Sequence, residues 1–128
     1  MRRFITLIST LLICGAAVCD TVGQRAEAYI GQYSSIAVSE MLRSGVPASI
    51  TLAQGLLESS YGQSYLAIQG NNHFGIKCHS DWRGERVFFD DDQPHECFRK
   101  YPSAEQSFTD HSDFLRYKSR YSFLFDYK

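Results

Sequence analysis

Leu52-Ala53-Gln54-Gly55-Leu56-Leu57-Glu58-Ser59-Ser60-Tyr61-Gly62 carries an apolar helical spacing that delivers one carboxylate beside an aromatic and then stops at a glycine. Gln54, Glu58 and Tyr61 fall at i, i+4 and i+7, so they share a helix face set off from a stripe of Ile50, Ala53 and Leu57. The stripe is expected to pack and the other face to look into a cleft. A carboxylate in the last helical turn feels the negative end of the macrodipole, and partial burial beside Leu57 and Tyr61 would further disfavour its charge. Such a glutamate suits a general acid, which gives its proton to a leaving oxygen.

Upstream, the spacing of Ala26, Tyr29, Ile30, Tyr33, Ile36, Ala37, Met41 and Leu42 predicts an amphipathic helix over 24–43, ended by Ser44-Gly45. Pro47 fits the first turn of the next helix, which Gly62 is expected to stop. Downstream, 63–69 reads as a short helical turn and Gly70-Asn71-Asn72 as a loop. Glu85–Phe89 and Glu96–Tyr101 then read as two strands joined by the turn-forming Asp90-Asp91-Asp92-Gln93-Pro94. After Pro102, Ser103-Ala104-Glu105-Gln106 carries a capping-box signature, and Phe108, His111, Phe114, Leu115 and Tyr117 continue a third long helix. Helices, a β insert and more helices make the class α+β.

The 128 residues suit one domain, with a formal charge of −1. Met1-Arg2-Arg3, an apolar run from Phe4 to Ile13 and small residues up to Cys19 have the form of a secretory signal, too short to span a bilayer comfortably. Residues 1–19 are therefore expected to be a signal peptide and 20–128 the working domain, exported to the periplasm or cell surface. Cys14 and Cys19 also raise lipoprotein anchoring, although Ile13 and Val18 directly before them are poor for lipid-modifying cleavage. The mature chain would be mildly acidic, which disfavours nucleic-acid binding, and would have no transmembrane helix; a monomer is expected.

Cys78 and Cys97 remain after cleavage, and an oxidising compartment makes an even pair a disulfide candidate. Cys78-His79 and His95-Glu96-Cys97 also offer four ligands of the kinds zinc takes. Adjacent Cys-His at one end is awkward for a tetrahedral site, so a disulfide tying the base of the hairpin is favoured and no metal or cofactor is expected. His73 and His111 read as structural. Asp90–Asp92 lacks the spaced ligands and glycine of a calcium loop.

The stretches Ser49–Ser64, Asn71-Asn72-His73-Phe74-Gly75-Ile76-Lys77, Phe98-Arg99-Lys100-Tyr101 and Ser107-Phe108-Thr109-Asp110-His111 occur in one order. Together they resemble the bacterial peptidoglycan β-N-acetylglucosaminidases of glycoside hydrolase family 73, over roughly residues 30 to 125. The resemblance implies a lysozyme-like fold, with a mainly helical lobe and a small β-hairpin lobe facing each other across a groove for the glycan strand. It implies cleavage of the β-1,4 bond between N-acetylglucosamine and N-acetylmuramic acid. The family's catalytic glutamate lies in a pattern matched by Ala53, Gln54, Leu57, Glu58 and Ser59, which makes Glu58 the general acid. Gln54, Tyr61, Asn72, Phe74 and Tyr101 become substrate-binding candidates, with Trp82 a sugar contact or an anchor of the β lobe.

Glycoside hydrolysis also asks for a second carboxylate or a group that replaces it. In the family this group sits on the β lobe, and some members rely on the substrate's own acetamido group. Counting on from Trp82 and Gly84 brings the acidic position to Asp91 or Asp92, with Asp90 and Glu96 as alternatives; all could equally be a solvated turn. Family members continue past the Arg-Tyr pair matched by Arg120-Tyr121, so the C-terminal part of the fold is expected to be missing. A non-catalytic glycan-binding or assembly module with an incomplete site is the alternative reading.

Overall fold

The computed structural model describes residues 21–126, so the expected signal peptide, with Cys14 and Cys19, lies outside the described residues. Helix α1 spans Val22–Ser44. Thr21 opens it with a reciprocal box: its hydroxyl accepts from the Gln24 N–H, and the Gln24 side chain accepts from the Thr21 N–H. Gly45 ends it in the left-handed conformation (φ 80°), which a glycine adopts without a Cβ penalty. Helices α2 (Ala48–Glu58) and α3 (Tyr65–Gly70) follow, then an antiparallel hairpin of β1 (Arg86–Phe89) and β2 (Glu96–Arg99). Helix α4 (Ala104–Tyr117) is capped by the Ser103 hydroxyl, as its sequence predicts, and a 3₁₀ segment covers Ser119–Phe125. The class is α+β, mainly helical with one small sheet. No described helix is long and apolar enough to cross a membrane.

The core forms where α1, α2, α4 and the 72–76 loop meet: Tyr29, Ala37, Phe74, Ile76 and Phe108, flanked by Tyr33, Ile36, Ala48, Leu52 and Leu56. The predicted stripe on α2 is wrong in register. Ile50, Ala53 and Leu57 face solvent, Leu57 being 72% exposed, whereas Thr51 and Gly55 are buried. The aromatics explain this. A Cβ at Gly55 would stand 2.5 Å from the Tyr29 hydroxyl and 3.2 Å from the Phe74 ring, so only a face of small residues lets α2 approach them. Ile30 and Leu42 of α1 and Tyr117 of α4 likewise turn out exposed.

Helix α2 also stops at Glu58, earlier than Gly62 suggested. Ser60, Tyr61 and Gly62 all have positive φ, and the Ser59 hydroxyl accepts from the Gly62 N–H. The chain reverses there.

The hairpin is fastened to the preceding loop. Buried Asn72 donates to the carbonyls of Ile76 and Arg99 and accepts from the Ile76 N–H. The Arg99 N–H reaches the Ile76 carbonyl, the Cys78 N–H reaches that of Cys97, and Cys78 and Cys97 form a disulfide with Cα atoms 5.5 Å apart. That bond removes both sulfurs from the zinc reading. The other end of β2 is tied to α4: the Arg99 guanidinium pairs with Asp110 and Asp81, and the Tyr101 hydroxyl donates to Asp110. Glu40 of α1 is also held to α4. Burial opposes its charge, but hydrogen bonds from Arg43 and Thr109 outweigh that and keep its carboxyl below the usual range.

His73 and His111 are buried, in keeping with a structural reading, and burial lowers both imidazoles to about 4. In the unfolded chain each takes up its proton near the ordinary value of about 6.5. Between those two values the unfolded state binds more protons, so stability is complete above about pH 6.5 and falls as pH drops toward about 4, by a few kcal/mol for the pair. Melting curves from pH 7.5 to 4.5 should show this fall, and His111→Phe should make it shallower.

Candidate active site

Glu58, the last residue of α2, lines two neighbouring hollows, together called the groove. The first, about 290 Å³, is walled by Gln54 of α2, Phe74 and Lys77 of the loop, His111 of α4, and Arg120 and Tyr121 of the 3₁₀ segment. The second, about 220 Å³, runs between Tyr65 and Leu66 of α3 and the hairpin, where Phe89, Asp91 and Phe98 line it. Gly75 belongs to both. Its φ of 59° favours glycine, and a side chain there would point into open space, so the groove floor stays bare.

Helix α2 thus presents Gln54 and Glu58 to the groove one turn apart, as the sequence predicts. The burial expected around Glu58 is absent: it is exposed, and Leu57 points away. Asp91 opens into the second hollow with Glu58, from the hairpin side. Its neighbours have other partners. Asp90 accepts from the His95 N–H at 2.6 Å and so shapes the turn. Asp92 has a side chain 82% exposed, lines neither hollow, and lies 3.2 Å from the Lys77 ammonium. That ammonium also lies 3.0 Å from Glu96 and 3.5 Å from Asp91. Asp91, Asp92 and Glu96 bring their oxygens within 4.8 Å of one another, and Lys77 supplies a cation to all three. Hydrogen bonds to Glu96 first and Asp92 next push its ammonium to hold its proton more firmly.

The other candidates divide. Phe74 lines the groove, its ring stacked on His111 at 3.9 Å. Asn72 is spent on backbone partners beneath it and presents nothing to a ligand. Tyr61 does not share the face of Glu58, because the helical register ends before it. It lies beside Tyr29 and Tyr33, with the Arg25 guanidinium 5.2 Å from its ring. Tyr101 is buried against Trp82 and Asp110, in a separate hollow. Trp82 donates to the Glu85 carbonyl and stacks under Arg99 at 4.9 Å, which makes it an anchor of the β lobe. His79, Arg120 and Tyr121 reach the groove without having been singled out for it. Lys77 was legible as the last residue of the Asn71–Lys77 motif, but its three acidic partners lie 14 to 19 positions downstream.

Residues 34–128 match the family described as mannosyl-glycoprotein endo-beta-N-acetylglucosaminidase. The chain belongs to this glucosaminidase family, glycoside hydrolase family 73. Among curated glucosaminidase-family relatives, it is 32% identical over 94 residues to peptidoglycan hydrolase FlgJ of Vibrio cholerae, covering 65% of this chain and 28% of that one. It is 38% identical over 72 residues to exo-glucosaminidase LytG of Bacillus subtilis, covering 50% and 25%. It therefore spans little more than a quarter of these relatives.

Solved family structures agree in fold. The crystal structure of peptidoglycan hydrolase from Sphingomonas sp. A1 superposes with a TM-score of 0.66 at 31% identity, over 75% of this chain and 65% of that one. The glycoside hydrolase domain of Salmonella typhimurium FlgJ gives 0.66 at 28%, over 76% and 64%.

Proposed function

We propose that this chain is an exported peptidoglycan hydrolase that cleaves the β-1,4 bond between N-acetylglucosamine and N-acetylmuramic acid. Glu58 is its general acid and Asp91 the carboxylate across the groove. The observation that carries this reading is that Glu58 and Asp91 open into one groove from opposite lobes. Glycosidases place two carboxyl groups on either side of the scissile bond, one to protonate the leaving oxygen and one to activate water or to stabilise positive charge at the anomeric carbon. Glu58 comes from a rigid helix end and Asp91 from a hairpin tip pinned by Lys77. The family membership and the relatives named as peptidoglycan hydrolases support the substrate class.

In this reading the glycan strand lies along the two hollows, with its scissile bond at Glu58. Asp92 and Glu96, paired with Lys77, keep the tip in place and take no part in proton transfer. The protein acts outside the cytoplasm, in the periplasm or at the cell surface, on peptidoglycan strands.

The test is the chemistry of the new chain end. Digested peptidoglycan, reduced with borohydride and resolved by mass spectrometry, should carry new N-acetylglucosaminitol ends. New muramitol ends, or none from a folded protein, would overturn the reading.

A further inference from the structure

At the back of the groove, on α4, His111 is only 6% exposed. Its Nε2 lies 2.9 Å from the Oε1 of Gln54, and its Nδ1 is buried with no hydrogen-bond partner among the described residues. A carbonyl oxygen cannot donate, so Nε2 carries the proton and Nδ1 an idle lone pair. Turning the Gln54 amide over would reverse this. The ring would then keep its proton on Nδ1, as a buried N–H without an acceptor, which is rarer in proteins than an idle lone pair. The ring itself cannot swing away, being stacked on Phe74 with 13° between the planes.

The amide of Gln54 is therefore fixed end for end. Its oxygen is held by His111, which leaves its NH2 group turned from the wall. Gln54 is itself exposed, lines the groove, and has no acceptor for that NH2 among the described residues, Glu58 one turn along included.

We propose that His111 is a positioning residue that locks the Gln54 amide so that its NH2 donates to an acceptor oxygen of the glycan strand in the subsite beside Glu58. This rests on the glycosidase reading above, and the acceptor is an acetamido carbonyl or a ring hydroxyl of the sugar. Gln54 selects for a strand that offers an acceptor there. His111 removes the second amide orientation, which would present an oxygen to another oxygen.

The test is binding of a purified tetrasaccharide of alternating N-acetylglucosamine and N-acetylmuramic acid, measured by calorimetry in a Glu58→Gln background so that nothing is cleaved. Gln54→Met removes the donor, and His111→Phe keeps the ring stack but releases the amide. Each should weaken binding about tenfold, and the two together no more than one alone, because they break a single arrangement. Melting temperatures should stay within a few degrees of the parent, since His111→Phe also removes an unpaired buried nitrogen. Gln54→Glu, which still accepts from His111 but cannot donate, should bind as poorly as Gln54→Met.

A tetrasaccharide lacking the N-acetyl groups separates the two acceptors: if the Gln54→Met loss disappears the acceptor is the acetamido carbonyl, and if it persists a hydroxyl. Unchanged binding in Gln54→Met, or a His111→Phe protein that binds like its parent, would overturn the proposal. Failure of the glycosidase reading is seen separately, as no new chain ends from the wild type.

Discussion

Glu58→Gln should abolish clearing of peptidoglycan in a zymogram and lower turnover about a thousandfold or more, the scale on which a positioned general acid contributes. The substitution preserves size and shape and removes only the exchangeable carboxyl proton. Glu58 is exposed and takes part in no ion pair among the described residues, so the melting temperature should not move. Loss of turnover at unchanged stability is the signature of a chemical role. A variant that keeps a tenth or more of wild-type turnover would remove Glu58 as the acid and return attention to the carboxylates of the hairpin turn. Asp91→Asn is the companion measurement, and it should cost activity whether Asp91 activates water or stabilises positive charge.

The largest effect on stability should come from the disulfide. Cys78 and Cys97 are 19 positions apart, and closing a loop of that size contributes on the order of 3 kcal/mol by restricting the unfolded chain. For a domain of about 100 residues, each kcal/mol shifts the melting temperature by roughly 4–8 °C, so the paired Cys→Ser protein should melt about 12–24 °C lower. Dithiothreitol should do the same to the wild type. Activity should suffer at temperatures where the fold persists, because Cys78 follows Lys77 and Cys97 follows Glu96, the ion pair that pins the turn carrying Asp91. A Cys→Ser protein with wild-type melting would show that backbone bonds alone hold the hairpin to the loop.

The sequence declared the elements better than their faces. Helix, hairpin and cap positions followed from residues that act locally: Gly45, Ser103, the Asp90–Pro94 turn. The face of α2 did not, because its inner side is chosen by what it must fit. Ile50 and Leu57 look like core on any hydropathy scale, yet the aromatics of α1 and the loop leave room only for Thr51 and Gly55.

The site divides in the same way. Glu58 and Gln54 were legible because one motif places them on a regular helix, and Phe74 because a second motif sets it beside Gly75 in the loop. Tyr61 was misread because three successive left-handed residues are invisible to helical spacing. Asn72 and Tyr101 look like ligand-binding residues in a list of motifs, but each is claimed by the protein itself, Asn72 by backbone carbonyls and Tyr101 by Asp110. Asp91 could be told from Asp90 and Asp92 only by which way each faces the groove.

The fastening of the 72–78 loop to β2 has a consequence for anyone who would graft parts between members of the family. Asn72 spans both segments, the Arg99 and Cys78 amides bridge them, and a covalent bond closes the unit. The hairpin is thus half of a cassette. Transplanted alone, it would leave behind the loop that carries Gly75 and Lys77 and so lose its own alignment to the glutamate. Moved as residues 72–99, it should carry groove width and the opposing carboxylate into a new helical lobe as one inherited piece.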